Sequence, residues 1–575
     1  MYCIQCGKAH EPGDQFCGTC GAAFKEEQAQ EGSQGNAGPN HTNQEEVQIE
    51  KRKKWPLILA LILVLAIGIG TATYFVVHSI LEGDREQEIS TRNREEDEAR
   101  ERDRDRDRDR DRDRDRDRDR EGNGDATEEN GADDIEEDEV LDDADDATDF
   151  TGRTISLWSF TDEVERQATI FRGMFPEINV EIAVTHLDQG AYEEWVLTAL
   201  AAGGDNVPDI IYLESALVRH FVEGPLLINL SDMLPQAEAI ETYQFALDIG
   251  TYQGEVRALS WQATPGVMYY RRSMAEQIFG TDDPDVIQNH FRDIPTMLDS
   301  ARRIRQESGG SMFFTNHYST FSIPFHANRQ NPWIVDNSLF IDPIMLEYMT
   351  FSRTVREEGL DAQLGTWSTG WFDSIADELT DIDGNPLHLF SYVLPTWGLA
   401  HVLYATHSGN FGDWAMMTGP LPYTWGGTWV GIPRASNNED LGRLFIESTM
   451  LNPEFLANWA LGVYDRDFMR AIDPDIPDGV FQASGDFVSS AQVIREIAHE
   501  FNGSPIYHFL GGQNPFLIFN ETASILDLSL IQGTDSTIQA IFGEAVDWYA
   551  DGIFSREEAL DFFKENVHMA LPWLE

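Results

Sequence analysis

The sequence predicts an α/β domain at the C-terminal end of a chain that crosses a membrane once. Three observations predict it. Strand-like alternation and helix-like periodicity take turns from Thr154 onward, one uncharged apolar stretch runs from Pro56 to Val77, and a tract of alternating Arg and Asp from Arg102 to Arg120 lies between them.

The 575 residues carry a formal net charge of -59, spread over both parts of the chain. Residues 1–150 hold 20 Lys+Arg against 41 Asp+Glu, and residues 151–575 hold 21 against 59. A phosphate backbone is repelled by such a surface, which excludes nucleic acid as a general partner. Lys564 is the single lysine after residue 150, and an acidic surface of this kind suits saline surroundings that screen self-repulsion.

The four cysteines are Cys3, Cys6, Cys17 and Cys20, in "CIQCGKAHEPGDQFCGTCG". Two CxxC pairs, each followed by Gly, bring four thiolates around one Zn²⁺. The stretch resembles a short bacterial zinc ribbon over residues 1–25. His10 is surplus to a four-thiolate site, and with every position filled no place is left for an activated water, so the zinc is expected to be structural. A polar cytoplasmic linker follows over residues 26–54.

Pro56 to Val77 is uncharged, and about 22 residues at ~1.5 Å rise give ~33 Å, enough to cross a hydrocarbon core. Residues 55–80 are therefore expected to form a transmembrane helix. The basic cluster Lys51 to Lys54 precedes it, which places the N-terminus in the cytoplasm and the C-terminal domain outside the cell. The stretch is longer than a signal-peptide core, starts after some 50 residues, and lacks a small-residue cleavage site.

Residues 81–150 are expected to be a disordered charged linker. The RD tract has no apolar residue with which to build a core, and its period of two sets like charges at i,i+4. A flexible chain of this length spans ~45 Å or more, so it tethers something near the membrane.

The tethered part is residues 151–575. "TISLW" alternates as a strand, Val164, Phe171, Met174 and Phe175 recur at helical spacing up to Pro176, and "INVEIAV" alternates again. Tyr192 to Ala202, with Trp195 and Leu200, reads as a second helix, and "DIIYL" as a buried strand. The order is β-α-β-α-β. Open sheets of this kind meet ligands at the carboxyl ends of their strands, which carry Trp158, Asp162 and Glu163 after the first strand and Glu214 after the third.

The series "ISLWSFTDE", "ALAAGGDNVPDIIYLE", "ALSWQATPGVMYYRRSMAEQIFG", "SYVLPTWGLAHVL", "GPLPYTWGGTWVGIPRASNNEDLGRLFIESTM" and "YHFLGGQNPFLIFNETA" resembles the extracellular solute-binding proteins of carbohydrate ABC importers, the maltose-binding-like group. The resemblance spans nearly all of residues 154–567. It implies a two-lobe, type II periplasmic-binding-protein-like fold with a hinge, no catalysis, a mono- or oligosaccharide ligand and an ABC permease as partner. The first lobe would run from about 151 to 262, the second would begin near "GVMYYRR", and the chain would return to the first around "GGTWVGIP". The departure lies at the N-terminus, where relatives in Gram-positive bacteria usually carry a lipid-modified cysteine. A ligand sensor signalling to a cytoplasmic partner through the zinc ribbon is the alternative, and an extracellular carbohydrate-active enzyme a further one.

Thirteen of the fourteen tryptophans follow residue 150, several beside Gly or Pro. The apolar C–H face of a pyranose lies on an indole while its hydroxyls donate to carboxylates, so Trp with Asp or Glu in one cleft suits a sugar. The candidate ligand-binding residues are Trp158, Asp162, Glu214, Trp261, Trp371, Trp397 and Trp429. Each tryptophan has core packing as its alternative, and Asp162 has the N-cap of the following helix. Trp195, Trp459 and Trp548, on helical patterns, are expected in the core. No GxxxxGK[ST], HExxH or GxSxG motif occurs, and "DIDGNP" at 381–386 reads as a turn without the glutamate of a calcium loop. "SREEALDFFKENV" opens with a capping box, Ser555 with Glu558, and is expected to pack as a closing helix.

Overall fold

The computed structural model describes residues 149–186, 192–474, 476 and 486–575. The four cysteines, the apolar stretch at 55–80 and the RD tract lie outside them. The described residues belong to one compact unit, 146–575, built on two four-stranded sheets.

The first sheet takes β1 (Thr154–Ser159), β2 (Asn179–Val184) and β3 (Ile210–Glu214), with α1 (Glu163–Met174) and α2 (Tyr192–Ala202) between them. β2 and β3 flank β1 in parallel, Leu157 lying opposite Ile182 on one side and Ile210 on the other. The apolar run of β3 follows from its central position, where Ile210 to Leu213 are all buried. In α1, Val164 and Phe171 enter the core as their spacing predicts, whereas Met174 at the last turn is exposed. Asp209, just before β3, accepts from the Ser156 backbone N–H at 2.9 Å and from the Ser436 hydroxyl at 2.6 Å, so one buried carboxylate ties β1 to a segment far along the chain. α3 (Ser215–Val222) follows β3 directly.

The second sheet is centred on β4 (Pro265–Arg271), with β5 (Ser391–Pro395) and β6 (Trp414–Met417) antiparallel on its two sides and β7 (Tyr423–Thr424) pairing with its start. Its strands alternate between two cores. Val267, Tyr269, Tyr392, Leu394, Trp414 and Met416 face the core shared with the first sheet, while Met268, Tyr270, Val393, Ala415 and Met417 face a second core. The period-two direction of strand side chains produces this, since a sheet covered on both faces needs apolar residues at odd and even positions alike. Gly266 is required where Tyr423 crosses it: a Cβ there would stand 2.0 Å from the tyrosine ring.

The chain then returns to the first sheet through β8 (Thr428–Gly431), which pairs antiparallel with β3 to give the order β8-β3-β1-β2. The expected places of departure and return, "GVMYYRR" and "GGTWVGIP", coincide with β4 and β8. Two passages run side by side between the sheets: the Thr424 hydroxyl donates to the Thr264 carbonyl at 2.8 Å, and the Gln262 side-chain amide to the Thr428 hydroxyl at 3.1 Å. The last two long helices, Asp535–Ala550 and Arg556–Ala570, cover the second core with Ile538, Phe542 and Phe563. The Ser555–Glu558 capping box is formed, and the buried stripe is Ala559, Phe563 and Val567, with Leu560 and Phe562 only partly covered.

Candidate functional site

The carboxyl ends of β1 and β3 meet the amino end of β8. Trp158 is next to last in β1, opposite Ile211 and half-buried, and its ring lies on Trp195 of α2 with centroids 3.6 Å apart and planes 3° from parallel. The Tyr192 hydroxyl, 3.0 Å from the Trp158 carbonyl and 2.7 Å from that of Tyr212, fixes α2 over both strand ends. Trp195 is thus half-buried beneath Trp158 and not in the deep core.

Asp162 precedes α1 but makes no side-chain capping bond, and its carboxylate is 62% exposed with His186 Nε2 at 3.5 Å. It is free to accept from a ligand. Glu163 faces elsewhere, toward Arg166 at 3.9 Å, and Arg166 also reaches Asp486 at 3.8 Å and lies over the Trp459 ring. Burial first, then the nearby Asp486, push the Glu163 carboxyl up to about 8 against the pull of Arg166. Glu214 instead caps α3: Oε2 accepts from Ala216 N–H at 2.7 Å and Oε1 from the Ser215 hydroxyl at 2.7 Å. Burial raises its pKa, and these bonds oppose the rise.

Across the passages stands a group of indoles. Trp397, two residues after β5, donates its Nε1–H to the Trp425 carbonyl at 3.1 Å and meets the Trp425 ring nearly edge-on, at 5.1 Å and 67°. Trp367 lies parallel to Trp397, at 5.8 Å and 14°, and is 52% exposed. The segment from Trp425 to Thr428 joins these indoles to the strand ends, because Ser215 N–H donates to the Gly427 carbonyl at 3.1 Å and Thr428 pairs with Glu214. The structure therefore brings Trp397 and Glu214 to opposite ends of four residues.

Three candidates lie in the interior instead. Trp261 is fully buried, edge-on to Tyr212 and Trp459. Trp429 sits inside β8 opposite Leu213 and donates Nε1–H to the Ala246 carbonyl at 2.8 Å. Trp371 is buried on the helix Thr369–Ile375. Neighbouring Gly and Pro suggest loops for all three, but Trp429 lies within β8, Trp371 within the helix Thr369–Ile375, and Trp261 on a bend that packs into the core. Sequence reasoning missed Trp367, which shares the Gly and Trp surroundings of Trp371 in "GTWSTGW"; nothing in one sequence ranks the exposure of two such neighbours.

Among the described residues no group of three His, Cys, Asp or Glu side chains is arranged to hold a metal ion, and no helix is long and apolar enough to cross a membrane. The 381–386 segment is a turn, with Asp381 Oδ1 accepting from the N–H groups of Asp383 and Asn385.

No protein-family model and no curated protein sequence matches the chain. Solved structures do. An extracellular solute-binding protein of family 1 aligns with a TM-score of 0.57 at 16% identity, covering 72% of this chain and 99% of that one. The sugar-binding protein MalE of Xanthomonas citri aligns at 0.55 with 15% identity, covering 73% and 97%. The fold is that of the solute-binding proteins. A third example with this fold, the galacto-N-biose/lacto-N-biose I-binding protein of a Bifidobacterium longum ABC transporter in complex with lacto-N-biose, aligns at 0.52 with 14% identity, covering 74% and 98%. All three are described as binding proteins. In the solute-binding fold of this chain, the passage at 424–428 runs beside the end of β3 that carries Glu214, and Trp158 lies on the adjacent strand β1.

Proposed function

We propose that residues 151–575 form a two-lobed receptor that closes about its hinge on a mono- or oligosaccharide and delivers it to an ABC-type importer without transforming it. The observation that carries this reading is the presence, on segments that adjoin one pair of interlobe passages, of the part-buried indoles Trp158 and Trp397, the half-exposed indole Trp367 and the exposed carboxylate of Asp162. Indole faces take the C–H face of a pyranose and a carboxylate takes its hydroxyls. The solute-binding fold supports the same reading. Residues 55–80 anchor the receptor in the cell membrane with the N-terminus inside, residues 81–150 tether it at the permease mouth, and Cys3, Cys6, Cys17 and Cys20 hold a structural Zn²⁺ in the cytoplasm.

The test is the melting temperature of the 151–575 unit, which contains both cores, against a panel of mono- and oligosaccharides, with the sugar recovered and examined afterwards. A ligand at ~100 times its dissociation constant adds ~2.7 kcal/mol, a plain upward shift. A shift with intact sugar is expected. Cleaved sugar overturns the binding-protein reading in favour of an enzyme, and no shift with any sugar overturns the carbohydrate reading.

A further inference from the structure

Seven described non-glycine residues have positive φ, and Trp367, at φ 71°, is the only aromatic among them. A bulky side chain in this left-handed region costs energy and persists where surrounding contacts over-determine it. They do so here. Asn316, 1% exposed, donates from Nδ2 to the Leu364 carbonyl at 3.0 Å and to the Thr366 hydroxyl at 3.3 Å, while its own carbonyl accepts from Leu364 N–H at 2.9 Å. On the other side Ser368 N–H donates to the Gly365 carbonyl at 3.1 Å, and the Ser368 hydroxyl accepts from Trp371 N–H at 3.3 Å to cap the helix that follows. Trp367 is thus pinned from both sides in an unfavourable backbone conformation that leaves an indole half in solvent.

Trp397, by contrast, is largely covered. Trp367 lies along one of its faces, Trp425 closes an edge, and its N–H already has the Trp425 carbonyl. The centroid separation of 5.8 Å between nearly parallel rings leaves no room for a sugar ring between the two.

The geometry points to Trp367 as the indole that carries the apolar face of the ligand, with Trp397 behind it as the positioning residue. The inference rests on the carbohydrate reading above and deepens it. It predicts a saccharide with one broad C–H face turned toward the outer side of Trp367, and a site whose platform is set by Asn316.

The experiment titrates the full chain in detergent with maltose, lacto-N-biose and β-1,6-galactobiose by calorimetry. Asn tolerates positive φ, so Trp367→Asn is expected to keep the wild-type melting temperature while weakening sugar binding roughly tenfold or more. Trp367→Tyr, which keeps a stacking face, restores most of the affinity, and Trp397→Phe loses less than Trp367→Asn. In the wild type, sugar protects Trp367 from N-bromosuccinimide, read by peptide mapping. Wild-type affinity in Trp367→Asn, a larger loss in Trp397→Phe, or equal oxidation of Trp367 with and without sugar overturns the assignment alone. Absence of binding to any sugar by the wild type overturns the carbohydrate reading and this assignment with it.

Discussion

Trp158 and Trp195 lie face to face, ring centroids 3.6 Å apart and planes 3° from parallel, at the junction of the first strand and the second helix. One face of Trp158 is therefore committed to Trp195, and its orientation depends on a residue on another element. Trp195→Ala is expected to weaken sugar binding through the loss of this stack. A double-mutant cycle with Trp158→Ala should give a coupling of about 0.5–1.5 kcal/mol in unfolding, read from urea curves. Additive losses would mean that the stack does not hold Trp158 in place.

The buried tryptophans separate stability from recognition. Trp261→Ala removes a fully buried indole and is expected to cost about 3–5 kcal/mol in urea unfolding. Trp429→Phe keeps most of the volume but leaves the Ala246 carbonyl without its donor, a cost of about 1 kcal/mol. Sugar affinity of the folded Trp429→Phe protein should equal that of the wild type.

His326 gives a pH dependence with a definite sign. Its Nδ1 donates to the Ser322 carbonyl at 2.6 Å, and its ring packs on Trp333 and Phe542. Burial, with Arg329 nearby, drives its pKa down to about 3 despite the Ser322 bond, so the folded state holds it neutral. The unfolded chain protonates it near 6.5, so stability is present above that value and lost as pH falls toward the folded value. At pH 5 the loss from this residue is about 2 kcal/mol. Urea unfolding at pH 7.5 and pH 5 should show His326→Phe losing about 2 kcal/mol less than the wild type between the two. Equal losses would show that His326 is not the group that titrates.

Arg329 and Asp535 form a buried ion pair, their side chains 3% and 6% exposed, where the chain enters the Asp535–Ala550 helix. Asp535→Ala leaves an uncompensated buried guanidinium and is expected to destabilise by about 3–5 kcal/mol. A joint Arg329→Met, Asp535→Leu replacement should recover much of that loss in the same urea assay.

The N-terminal proposals are testable apart from the site. A fragment of residues 1–50 should bind one Zn²⁺ per chain by metal analysis and lose it when the four cysteines become serine. Cutting residues 83–150 to a few residues should impair sugar uptake by cells while leaving affinity unchanged. Unaltered uptake would remove the tethering role.

Much of the architecture was legible in one sequence because it rests on local periodicity. Strand, helix, strand, helix and buried strand follow from alternation and from the spacing of Val164 and Phe171, and the Ser555–Glu558 box marks a helix start from four residues. The side-chain types needed for a saccharide, and the strand ends that carry Trp158 and Asp162, follow equally from composition and order. The tertiary structure decided which indoles face outward. Trp261, Trp371 and Trp429 sit among the same Gly and Pro neighbours as Trp397, but burial is fixed by residues far away in sequence: Tyr212 and Trp459 against Trp261, and the Ala246 carbonyl against Trp429. Glu214 became a helix cap and Trp367 an exposed indole for the same reason. Local sequence sets the conformational preferences of a segment, and only the meeting of distant segments determines which of its faces remains for a ligand.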